Sequence, residues 1–144
     1  MKIFNKHDRI IPATQDAVGR VIDSLSGPDD ALWPWEKWPP MMLDSVLGVG
    51  ASGGHGPVRY RVSEYVPGRR AVFQFAEGGL MKGMDGHHYF EVISRRRYVV
   101  IRHVLDGDCN FSGATVKRSH WGLWVRLLRS MRARQRRRTE AARE

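Results

Sequence analysis

The sequence predicts an α+β domain in which a curved antiparallel β-sheet wraps around a long C-terminal helix. Three observations carry that prediction. Four runs, 58–65, 70–77, 87–93 and 98–105, repeat β-branched or aromatic residues at period two. The connections between neighbouring runs are short and rich in turn residues, which suits an antiparallel meander. Near the end of the chain, Trp124, Leu127, Leu128 and Met131 recur at helical spacing, with Trp121 and Leu123 beside them. A half-buried sheet needs one face covered, and that stripe can cover it.

The first element is a strand over residues 2–11. Its inner face is ambiguous: Phe4 and Ile10 share one parity, Ile3 and Ile11 the other. Pro12 closes it. Thr14 then suits a helix N-cap, and Val18, Val21, Ile22 and Leu25 form one apolar face. Asp16 sits in the first turn, where the helix dipole favours it, and Gly27-Pro28 stops the helix after about Ser24. Residues 29–43 are aromatic and proline-broken, so one or two short helical turns are expected around 30–37, followed by an extended segment. The glycine-rich stretch 44–56 lacks phosphate-loop spacing and reads as a loose loop or hairpin, with room for a short edge strand at 44–49.

Within the four central runs, Val58, Tyr60 and Val62 share a face opposite Arg59 and Arg61. Ala71, Phe73 and Phe75 share another, and His88, Phe90 and Val92 oppose His87, Tyr89 and Glu91. Residues 98–101 are apolar throughout, which predicts cover on both faces. Pro67-Gly68 has the residue order of a type II turn. Periodicity lapses after Asp106-Gly107, with room for a last short strand near 110–116. Ser119 can cap the C-terminal helix, whose apolar face ends at Met131.

The chain has 144 residues, enough for one domain with its own core. Residues 1–131 are read as that domain and 132–144 as a basic helix extension or tail. The net charge of +9 is unevenly placed. Residues 117–144 carry ten Lys or Arg and two Glu, so the basic character belongs to the tail rather than the domain. The single Cys109 excludes an internal disulfide. No secretory leader or bilayer-length apolar run is present, and a soluble cytoplasmic protein is expected.

The order of these elements resembles the START/polyketide-cyclase-like superfamily. Residues 9–25, RIIPATQDAVGRVIDSL, are similar to its first strand, proline and first helix. Residues 58–75, VRYRVSEYVPGRRAVFQF, resemble its central hairpin, and GHHYFEV at 86–92 and YVVIRHVLDG at 98–107 resemble later strands. The resemblance implies a helix-grip fold over roughly residues 2–131. It also implies a cavity between sheet and last helix that takes a lipid or polyketide-like molecule. Some members of the superfamily cyclise or dehydrate polyketides and some only carry a ligand, so whether this chain is an enzyme stays open. The basic run after Met131 departs from the superfamily's usual ending.

Three readings of function follow. The first is binding or transport of a small hydrophobic ligand. The second is a cyclase or dehydratase acting on a polyketide-like substrate, with His88, His103 or Tyr60 moving protons. The third is contact of Arg132, Arg134, Arg136, Arg137 and Arg138 with anionic lipid or nucleic acid. Trp33, Trp35, Trp38, Tyr60, Phe73, Phe75, Phe90, Trp124 and Leu128 are the expected ligand contacts, although for Tyr60, Phe73, Phe75, Phe90 and at least two of Trp33, Trp35 and Trp38 core packing is the first reading. Tyr60 stands out because a buried hydroxyl needs a partner. His87 and His88 are adjacent on a strand and face opposite ways, so they cannot clamp one metal ion. No His, Cys and Asp set has metal-ligand spacing, and no cofactor is expected. Glu91 is read as solvent-facing or paired with Arg59 or Arg61. Asp8, Asp106 and Asp108 are read as edge and turn residues, and Cys109 as structurally bland. Exposed sheet edges make a homodimer an expectation.

Overall fold

The computed structural model describes residues 2–33, 39–56, 58–76 and 83–109. In chain order its elements are β1 (Lys2–Ile11), α1 (Gln15–Asp23), β2 (Met42–Leu43), β3 (Ser52–His55), β4 (Val58–Val66), β5 (Arg70–Phe75), β6 (Met84–Ser94) and β7 (Val99–Cys109). The strands form one antiparallel sheet in the order β1-β7-β6-β5-β4-β3-β2. It is a curved sheet of helix-grip type. The C-terminal helix expected at 119–131 and the strand expected near 110–116 lie outside the described residues. So do Trp35, Trp38, Trp124, Leu128 and the arginines of the tail.

Alternation decides the inner face. On β4, Val58, Tyr60 and Val62 are buried while Arg59 and Arg61 are exposed. Ala71, Phe73 and Phe75 join them from β5, His88, Phe90 and Val92 from β6, and Val99, Ile101, His103 and Leu105 from β7. Val18, Ile22 and Leu25 complete the core from α1 and the turn after it. The ambiguity in β1 is resolved toward Ile3 and Ile11, whereas Phe4 and Ile10 are 58% and 66% exposed. Val100, on the opposite face of β7, is buried too, as the apolar run 98–101 predicts, although Tyr98 of that run is exposed; Val104, beyond the run, is also buried on that face. In the ladder Val104 stands between Lys6 and Tyr89.

The Pro67-Gly68 turn is as expected. Arg69 N–H donates to the Val66 carbonyl at 2.9 Å, and Gly68 has φ 68° at the position that requires a positive value. A β-bulge between Val62 and Glu64 adds one residue to β4. The bulge switches parity, so Tyr65 pairs with Ala71 and joins the inner side. From there its hydroxyl donates to Asp23 Oδ1 at 2.9 Å, and the same oxygen accepts from Gly68 N–H at 2.7 Å. One carboxylate thus pins the end of α1 to the β4–β5 hairpin. Gly19 permits that contact, because a Cβ there would lie 2.6 Å from the Gly68 carbonyl oxygen.

Several expectations need correction. Residues 44–49 form no strand, and Val46 and Val49 are exposed. The edge is built by β2 and β3 instead, with Met42 opposite Gly54 and Leu43 opposite Gly53. A Cβ at Gly53 or Gly54 would collide with the carbonyls of Met42 or Val58, so of the two forms expected for this stretch, loop or hairpin, the hairpin is found and these glycines serve its close strand approach. No helical turn forms over residues 30–33, and the rest of the span 30–37 expected to hold one or two turns lies outside the described residues. Within 30–33, Asp30 Oδ1 accepts from Leu32 and Trp33 N–H at 2.9 and 2.8 Å, a side-chain turn that competes with helix. The helix ends at Asp23 with Ser24 as its C-cap, as expected, and the left-handed residue that follows is Ser26, φ 63°, whose N–H donates to Asp30 Oδ2. β6 and β7 are longer than expected because Gly86 and Gly107 face each other and the ladder continues through them. Asp106 and Asp108 accordingly lie within a strand rather than a turn, whereas Asp8 is on the edge strand, as expected.

Candidate functional site

The inner face carries apolar and aromatic groups, and among them a line of polar rings that crosses the sheet. His7 on β1 pairs in register with His103 on β7. His103 Nε2 lies 3.5 Å from His88 Nδ1 on β6, a long and therefore weak contact. The His88 ring is 5.2 Å from Tyr60, edge to face. Tyr60 Oη lies 3.0 Å from His55 Nδ1 on β3. Phe73 on β5 stacks on His88 at 4.8 Å with a 12° interplanar angle, and Phe90 stacks on His103 at 4.6 Å. Trp33 closes the His55 end, with ring centroids 4.6 Å apart, and its indole N–H donates to the Pro39 carbonyl at 2.9 Å.

Burial sets the charge state of this line. His88 is fully buried, and His55 and His103 are nearly so. Desolvation holds the His55 imidazole down to about 4, with the Arg59 charge adding to it. It takes His103 down to about 3, helped by His7, and His88 well below the ordinary histidine range, helped by His103. Desolvation pushes the Tyr60 phenol far up, and the Asp30 charge pushes the same way. All four groups are therefore neutral at neutral pH. With the phenol protonated, the Nε2–H tautomer of His55 makes its Nδ1 the acceptor for the Tyr60 hydroxyl. A line of neutral donors and acceptors set in aromatic surroundings can orient an uncharged polar group and offers little to a free anion.

Among the sequence-derived candidates, His88, His103, Tyr60, Phe73, Phe75, Phe90 and Trp33 share this one buried region. His87 faces the other way and stacks on Tyr89 at 6.1 Å. Glu91 pairs with neither Arg59 nor Arg61. It is opposite Arg70 in register and bonds it at 3.2 Å, and Arg70 also bonds Glu64 at 3.1 Å and covers the Tyr89 ring at 4.0 Å. Sequence reading missed His55 and His7. His55 lies in a glycine run read as loop or hairpin, and only the β3–β4 register brings it to Tyr60. Among the described residues no cluster of three or more His, Cys, Asp or Glu could hold a metal ion. No helix among them is long and apolar enough to cross a membrane.

No protein-family model matches the chain, and no curated protein matches it in sequence. Solved structures do match it in fold. One is norcoclaurine synthase from Thalictrum flavum in complex with dopamine and hydroxybenzaldehyde. It has 14% identity, 98% of this chain and 88% of that chain covered, and a TM-score of 0.68. A point mutant of that enzyme with a transition state analogue aligns over 100% and 98% of the two chains at 14% identity, also with a TM-score of 0.68. Another is the Aha1 dimer from Colwellia psychrerythraea. It has 15% identity, 90% and 92% coverage, and a TM-score of 0.57.

Proposed function

We propose that this chain, whose fold is that of the START/polyketide-cyclase-like superfamily, binds a small, mainly apolar molecule against the inner face of its sheet. The helix read from residues 119–131 would close the site. The observation that carries the reading is the line of neutral rings, His103, His88, Tyr60 and His55, framed by Phe73, Phe75 and Phe90. Apolar walls with a few placed polar groups are the usual make-up of small-molecule sites. Tyr60 Oη and the imidazoles would orient a carbonyl or hydroxyl of the guest. Trp33, Trp35, Trp38, Trp124 and Leu128 would add apolar wall. Native mass spectrometry of protein purified from its own host should show a retained small molecule released on denaturation. A single bare mass, together with no binding of the apolar dye anilinonaphthalene sulfonate, would sink the reading.

Two facing polar pairs, His55 with Tyr60 and His88 with His103, favour a second reading as a cyclase or dehydratase-type enzyme. The magnitudes favour binding. A base whose conjugate acid titrates at about 3 or 4 is a poor proton acceptor near neutrality, where general bases work best with values near the working pH. The basic tail is a separate question. Comparing nucleic-acid and anionic-liposome binding of the full chain with a chain ending at Met131 tests it.

A further inference from the structure

We infer that β1 is a self-complementary edge through which two copies of this chain pair antiparallel, joining their sheets into one. Among the described residues β1 has a partner on one side only, β7, and it stands at the end of the sheet order. It is ten residues long, and its outer face exposes two large apolar side chains, Phe4 at 58% and Ile10 at 66%. A long, exposed edge of this kind is a template for another strand. A lysine on an edge ordinarily blocks such pairing, and β1 carries Lys2 and Lys6 on the same face as Phe4. The question is whether one register gives the central lysine an opposite charge.

Sheet continuity restricts the choice. If the two inner faces are to lie on the same side, residues directly opposite must have the same parity. A two-fold axis at Lys6 would set Lys6 against its own copy and Phe4 against Asp8. An axis at Asp8 would set Asp8 against its copy and Lys6 against Ile10. Like charges directly opposite are unfavourable. An axis at His7 does neither. It sets Phe4 against Ile10, Lys6 against Asp8 and Ile3 against Ile11, each pair occurring twice by symmetry. Read from His7 outward, the strand matches itself in charge and in apolar character. Asp8 already accepts two bonds from Arg102 of β7, at 2.7 and 2.8 Å, which fixes its carboxylate on the outer face. The inference rests on the strand alone and does not depend on what the inner face binds.

Sedimentation velocity of the full chain over a concentration series is expected to show a reversible monomer–dimer equilibrium. Lys6→Asp places Asp against Asp8, and Asp8→Lys places Lys against Lys6. Each alone should weaken self-association by about tenfold or more. An equimolar mixture of the two variants should dimerise again, because both central pairs become opposite charges. Phe4→Thr keeps strand propensity, removes the apolar pair and should also weaken the dimer, which covers the case in which a charge variant fails to fold. A wild-type chain that stays monomeric, single charge variants that dimerise as before, or a mixture that does not recover would each overturn the proposal.

Discussion

Asp23 shows how much one side chain can decide. Its Oδ1 takes the Tyr65 hydroxyl and the Gly68 N–H, residues 42 and 45 positions away, and so joins α1 to the β4–β5 hairpin. The Tyr65 phenol is pushed up to about 12, first by desolvation and then by its bond to Asp23. Hydrogen bonds to a charged group contribute about 1.5–3 kcal/mol each when well formed, and less where solvent reaches them. Asp23→Ala should therefore cost about 2 kcal/mol, and Tyr65→Phe about 1 kcal/mol, in urea unfolding. Equal losses from the two substitutions would mean that the Gly68 bond contributes nothing. The sequence marked Tyr60 as a buried hydroxyl in need of a partner, and His55 is that partner. It could not supply the Asp23–Tyr65 pair, because the bulge that turns Tyr65 inward has no strong sequence mark.

The elements themselves were largely legible. The β4 and β5 alternation, the inward set His88, Phe90 and Val92, and the Thr14 cap, which accepts from Ala17 N–H at 3.2 Å, all follow from local chemistry. The glycines were not legible in the same way. Gly53, Gly54, Gly86 and Gly107 look like breaks, yet each sits inside a strand where a neighbouring backbone comes too close for a Cβ. Gly19 is the clearest test at this scale. An alanine in an ordinary helix interior is more stable than glycine by about 1 kcal/mol. Here the new methyl would meet backbone at 2.6–2.7 Å on the turn that Asp23 holds. Gly19→Ala is expected to lower the melting temperature, and a rise would show that α1 packs on that turn less tightly than described.

At the scale of the whole molecule, three buried imidazoles make the fold sensitive to acid. The native values lie well below the ordinary 6.5, at about 4 for His55, about 3 for His103, and lower than ordinary for His88. As pH falls below about 6.5 the unfolded chain takes up protons that the native state refuses. Stability is therefore present above that value and declines as pH drops toward the native values. The decline can reach about 1.4 kcal/mol per pH unit for each imidazole. Denaturant unfolding at pH 7, 6 and 5 should show it, and His103→Leu should flatten the slope. An unchanged slope would place His103 outside the buried line.

By itself the sequence determined the α+β class, the meander of the central strands, the first helix and its cap, and which residues of each strand share a side. These follow from side-chain alternation and turn stereochemistry, which act over a few neighbouring residues. Only the tertiary structure decided which side of β1 turns inward, that the end of the glycine run pairs as a strand between β2 and β4, and that His7, His103, His88, Tyr60 and His55 fall into one line. Those features depend on cross-strand register, which sets distances between residues far apart in the chain and which no short window of sequence contains.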